Sequence, residues 1–116
     1  MRAILPVAVA LVLVGCASAT MEAARKGEPT AKLTSQKAAD RVAQCIQFGW
    51  QEERVFGQDA SGYLEPRPQG GFTVYTREAE TFVDVYPQAG GVQVDYYAQK
   101  NDGVSLQHRA AAATCL

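Results

Sequence analysis

Few side chains of this 116-residue chain could carry chemistry, and their spacing limits what they can do. Asp84 and Asp95 fall on one face of two neighbouring segments with alternating polarity. If Val85 pairs with Val94, the two acids sit opposite each other, and like charges across a ladder repel. Such a pair could raise one carboxyl pKa for acid–base work or hold a divalent cation. Pairing Val85 with Val92 keeps every side chain on its face and parts the acids. Both registers stay open, and paired-acid chemistry is not the expectation. His108 is the only histidine; with no nucleophile motif near it, it is expected as an isolated helix-surface residue. Cys45 and Cys115 form no Cys-x-x-Cys, and no Gly-x-Ser-x-Gly, His-Glu-x-x-His, P-loop or dinucleotide fingerprint occurs. The expectation is a protein that is not an enzyme, with no cofactor and no metal.

The third cysteine has a different setting. Arg2 is followed by the uncharged run Ala3 to Val14, twelve residues long, within the roughly 7–15 of a signal h-region and short of the about 20 needed to span a bilayer. The run closes on Leu13-Val14-Gly15-Cys16 and the small residues Ala17-Ser18-Ala19. This pattern resembles the lipobox of bacterial lipoproteins. The resemblance implies that Cys16 is lipidated and that the bond before it is cut, leaving residues 1–15 as a lipoprotein signal peptide and Cys16 as the first mature residue. No aspartate follows Cys16, which in that family favours the outer membrane, with the domain on its periplasmic face. A plain secretory signal cut near Ala17-Ser18-Ala19 is the competing reading. Beyond Cys16 the likeness is only a general one to small envelope lipoproteins of Gram-negative bacteria.

An address outside the cytoplasm leaves Cys45 and Cys115 in an oxidising compartment, where two thiols read as a disulfide. A domain of this size buries a modest fraction of its surface, so such a staple would supply much of its stability. Loss of Arg2 with the leader takes the formal charge from −1 to −2. No basic patch suits nucleic acid. Residues 16–33 alternate Ala, Thr, Glu and Lys with Gly27 and Pro29 and are expected as a flexible tether, ahead of a globular domain at 34–116.

The elements that position these residues follow from periodicity. A helix is expected from Thr34 or Ser35, with Ala38, Val42, Cys45, Ile46 and Gly49 on its apolar stripe, Gly49 ending it, and Phe48 and Trp50 packing at its end. Residues 51–71 are punctuated by Gly and Pro and read as a long loop, with a short strand conceivable at Val55-Phe56 and with Tyr63 and Leu64 turned inward. From Gly71 to Gln99 the period becomes two, predicting three strands whose inner faces carry Phe72/Val74/Thr76, Val83/Val85 and Val92/Val94/Tyr96. The last segment, Leu106 to Cys115 capped by Ser105, is alanine-rich enough for a helix, against an edge strand through Val104, Leu106 and His108. The fold class expected is α+β: an N-terminal helix, a three-stranded antiparallel meander sheet and a short C-terminal helix.

The outer face of that meander carries Tyr75, Phe82, Tyr86 and Tyr97, more aromatic surface than a solvated sheet needs. Two uses are expected of it: partner binding, or a second minor core closed by the loop around Val55–Leu64. The functional expectation is a lipid-anchored, non-enzymatic interaction or structural module. Its partners would be the membrane, through the lipid anchor, and an envelope protein or cell-wall component. The alternative is a secreted or anchored inhibitor or small-ligand-binding protein.

Overall fold

The structure, a computed structural model, describes residues 9–57 and 60–116. Its elements in chain order are helix α1 (Val9–Arg25), strand β1 (Ala31–Ser35), helix α2 (Ala39–Trp50), the single turn α3 (Glu53–Phe56), strands β2 (Tyr63–Pro66) and β3 (Phe72–Tyr75), a 3₁₀ turn (Arg77–Ala79), strands β4 (Thr81–Gln88) and β5 (Gly91–Ala98), and helix α4 (Gly103–Ala113). The class is α+β, but the expected three-stranded sheet is corrected to five antiparallel strands in the order β1-β5-β4-β3-β2. The meander β3-β4-β5 forms its centre, and the two strands that periodicity missed form its edges.

Each missed strand has a physical reason. In β1, Ala31, Leu33 and Ser35 alternate with Lys32 and Thr34, and Leu33 pairs with Val94. Leu33 is its one large apolar residue, with Ala31 and Ser35 too small or polar to announce a strand beside it. The Thr34/Ser35 helix start is also overturned, since α2 begins at Ala39. There Ser35 Oγ accepts the Lys37 N–H at 3.0 Å, closing the turn between strand and helix. In β2, Pro66 argues against a strand by sequence. At an edge a missing N–H costs no ladder bond, and Pro66 pairs with Phe72 there. Val55-Phe56 belongs to α3, not to a strand.

The inner face of the sheet meets α2 and α4. Val42, Ile46 and Trp50, all fully buried, pack against Val74, Val83, Val85 and Val94, as a stripe at helical spacing facing period-two strands must. Gly49 lies inside α2, and its place as a stop is taken by Gln51. Phe48 points to solvent, 64% exposed, while Trp50 is buried and donates its Nε1–H to the His108 carbonyl at 2.9 Å. The last segment is helical, and Asp102 rather than Ser105 caps it, accepting the Ser105 N–H at 2.9 Å.

The disulfide Cys45–Cys115 joins α2 to the chain end across 70 residues, with a Cα–Cα distance of 5.7 Å. Cys45 sits on an exposed flank of α2 rather than on its buried stripe, and Cys115 is buried. Ser35 Oγ–H donates to the Leu116 carbonyl at 3.3 Å, so the start of α2 and the C-terminus are held together.

Residues 16–33, expected as a tether, are helix as far as Arg25 and strand from Ala31. Alanine, methionine, glutamate and arginine are strong helix formers, and Ala17, Met21 and Ala24 recur at the 4 and 3 residue steps of one helix face. The helix ends before Gly27 and Pro29. The first eight residues, Arg2 among them, and the side chains of Leu13-Val14-Gly15-Cys16 lie outside the described residues. No helix among the described residues is long and apolar enough to cross a membrane.

Candidate functional site

The outer face of the sheet collects the side chains singled out by type. Alternation along β3, β4 and β5 puts Thr73 and Tyr75, then Phe82, Asp84 and Tyr86, then Gln93, Asp95 and Tyr97 on that side. The register is the one that sets the acids opposite each other: Val85 pairs with Val94, Asp84 with Asp95, Phe82 with Tyr97. Repulsion between the carboxylates is relieved because each has its own partners. Asp84 accepts two bonds from Arg25, Nε–H to Oδ2 and Nη2–H to Oδ1, both 2.7 Å. Thr73 Oγ1–H adds a third at 2.7 Å. Asp95 accepts the Tyr86 hydroxyl at 2.7 Å and the Gln93 amide at 3.0 Å. Arg67 Nε stands 3.8 Å from Asp84 Oδ1, its guanidinium carbon 4.7 Å over the Tyr86 ring, and so adds a second cation to the same acid.

Asp84 thus accepts three hydrogen bonds, from Arg25 and Thr73, while Asp95 across the ladder accepts from Tyr86 and Gln93, so the two acids do not share a partner. Among the described residues no group of three or more His, Cys, Asp or Glu side chains is placed to hold a metal ion. The electrostatic consequences fall on the partners. The hydrogen bond to Asp84 raises the Arg25 pKa above its usual value. Burial first, then the bond to Asp95, pushes the Tyr86 phenol up to about 12. Tyr97 is raised by burial and by Asp84, and Tyr75 by burial and Glu65.

The four residues expected to bind a partner are divided by α1. Met21, 2% exposed, seats on Phe82, Tyr97 and Ala79, with Ala17 and Ala24 flanking it. Arg25 lies over the Phe82 ring at 5.2 Å, and Phe82 stacks on Tyr97 with centroids 4.5 Å apart. Phe82 and Tyr97 are thus the floor of a second core, closed by the chain's own helix rather than by the Val55–Leu64 region. Tyr86 and Tyr75 keep part of their surface. Tyr63, expected inward, is 44% exposed and stands 5.3 Å from Tyr75 across the β2–β3 ladder, making a two-ring patch at the sheet edge.

His108 is not on the surface. It is 3% exposed, stacked on Phe56 at 4.2 Å and edge-on to Trp50 at 5.0 Å. Its Nδ1–H donates to the Val104 carbonyl at 2.9 Å, since that oxygen can only accept. Sequence alone could not place it there, because α3 and α2 supply the rings. Comparison of the chain with protein-family models, with curated proteins and with solved structures finds no match.

Proposed function

We propose that this chain is a lipid-anchored protein of the bacterial cell envelope, attached through Cys16 and acting as a non-enzymatic interaction or structural module. The observation that carries this reading is the leader: one cation, twelve uncharged residues and Leu13-Val14-Gly15-Cys16 at their end. The Cys45–Cys115 disulfide supports it, because such a bond persists in oxidising compartments. Cutting before Cys16 would leave Ala17, Met21, Ala24 and Arg25 in the mature chain, so the segment next to the lipid keeps its seat on the sheet. The absence of aspartate after Cys16 supports the outer membrane.

An envelope partner would meet the outer face where α1 leaves it uncovered, at Tyr63 and Tyr75 and along Tyr86. The alternative of an apolar ligand carried between sheet and helices is disfavoured, because Trp50, Ile46 and Tyr96 fill that space. The test of the anchor is globomycin-sensitive lipid labelling of the wild type beside Cys16→Ala, with membrane fractionation. Label in the wild type alone is expected. Label in neither would make this a secreted protein and end the proposal. For the partner, Tyr63→Ala with Tyr75→Ala should remove crosslinked envelope species while the fold persists.

A further inference from the structure

Among the described residues eight polar or charged side chains are buried, and five of them, Ser61, Thr76, Thr81, Ser105 and His108, line one cleft of about 370 Å³. Its size falls in the range of small-ligand sites. The floor is set by short bonds: Ser61 Oγ accepts the Arg77 N–H at 3.1 Å, and Ser105 Oγ–H donates to the Lys100 carbonyl at 2.7 Å. The rim is ionic and of both signs, with Arg77 and Lys100 against Glu78 and Glu80. Asp102 also borders it but is committed to capping α4.

The wall between the rim and the anchor helix is strained. Glu78 and Ala79 have φ of 61° and 55°, the left-handed region, and no other non-glycine residue described does so. Such backbone is unfavourable for residues with a side chain and persists where surroundings hold it. Here it turns Ala79 down onto Met21, fully buried in the α1 cluster, while Arg77, Glu78 and Glu80 face the cleft. Ala17, one residue after Cys16, packs on that same cluster. The cleft therefore opens at the end of the sheet from which the chain runs to Cys16.

We propose that this cleft binds the headgroup of a zwitterionic phospholipid carrying a phosphate and a primary ammonium, as in phosphoethanolamine lipids. The inference rests on the lipoprotein reading for its source of ligand, since an acylated Cys16 would hold the cleft at the bilayer surface. Arg77 and Lys100 pair with the phosphate, and Glu78 and Glu80 accept from the ammonium. A quaternary ammonium donates no hydrogen bond and is held by aromatic cages; no tyrosine, tryptophan or phenylalanine lines this cleft.

The test uses the protein as purified from membranes, held in a non-ionic detergent and titrated with glycerophosphoethanolamine, glycerophosphocholine, glycerol phosphate or a zwitterionic dipeptide while backbone amide NMR shifts are followed. Shifts confined to residues 76–81 and 100–105, with at least tenfold tighter binding of glycerophosphoethanolamine than of the other three, are expected. Arg77→Gln with Lys100→Gln should abolish them while the shifts of α2 and the disulfide are unchanged. Equal binding of glycerol phosphate, preference for the dipeptide, no response in the cleft, or a response that survives the double substitution would each overturn the assignment. The mass of the same preparation reports on Cys16 separately. An unlipidated chain that still binds the headgroup sinks the anchor and not the cleft; a lipidated chain that does not bind sinks the cleft alone.

Discussion

On its inner face the sheet is closed by α2 and α4 with Val42, Ile46 and Trp50 and a disulfide at the seam. On its outer face it is closed by part of one helix, with a single methionine and one ion pair. The inner contact spreads over many apolar side chains, so its stability is close to additive in area. The outer contact depends on Arg25, because Asp84 is 3% exposed and Arg25 supplies two of its three hydrogen bonds, leaving only Thr73 and the more distant Arg67 without it. A buried ion pair adds little net stability over apolar packing, but it is unforgiving of losing one partner. The outer closure therefore specifies where α1 sits more than it holds the molecule together.

Breaking the inner face should have the largest effect. Trp50→Ala leaves a large cavity and removes the indole's hydrogen bond to the His108 carbonyl; the expected loss is about 4–5 kcal/mol in denaturant unfolding. Cys45→Ser with Cys115→Ser should cost about 4 kcal/mol, the chain-entropy value for a loop of this length. If either change cost less than Met21→Ala, the ranking of the two faces would be reversed.

On the outer face, Arg25→Ala should cost about 3 kcal/mol locally. Undocking of α1 lets water reach Asp84, so the loss is capped and appears as roughly hundredfold faster hydrogen exchange in α1, with α2 unchanged. Replacing both partners, Arg25→Met with Asp84→Leu, should return stability to within about 1 kcal/mol of wild type. Met21→Ala should cost about 2 kcal/mol by the same local readout. Equal slowing or quickening of exchange on both helices would mean one cooperative unit rather than two closures.

Alkali gives the smallest and most selective comparison. Tyr96, inside, and Tyr86, outside, are each pushed up to about 12, mainly by burial. A raised phenol pKa means the fold favours the protonated form, so this stabilisation is complete below pH 10 and is lost as pH rises from about 10 to 12. Phenolate absorbance should therefore appear for Tyr96 only with global unfolding. Tyr86, at the rim, should ionise without it.

The inner face was legible because its signals are local. Val42 and Ile46 repeat at helical spacing, Val83/Val85 and Val92/Val94 alternate, and the Cys45–Cys115 pair was expected from cysteine number and the compartment the leader implies. The outer closure was not. Ala17, Met21 and Ala24 do make a helical stripe, but alanine spaced by glutamate and lysine has the composition of a linker, and only the Phe82/Tyr97 floor gives the stripe a purpose. The register of Asp84 on Asp95 looked unfavourable because Arg25, 59 residues away from Asp84, supplies the compensating charge. His108 was misplaced for the same reason: the rings that enclose it, Phe56 and Trp50, come from other elements. The strands β1 and β2 escaped because edges tolerate lysine, threonine and proline.

The disulfide also sets how the molecule would respond to force. Load applied at Cys16 reaches α1 first, then β1, which as an edge strand can unzip from β5 one ladder bond at a time, then the first half of α2. At Cys45 the extension stops, because everything from there to Cys115 is enclosed by a covalent loop. The segment ahead of it holds roughly 100 Å of contour. That length is slack: a pull that strips α1 and β1 would lengthen the chain while β2, β3, β4 and β5 stay shielded, giving the molecule a short extensible segment and a larger, mechanically inert remainder on either side of one sulfur–sulfur bond.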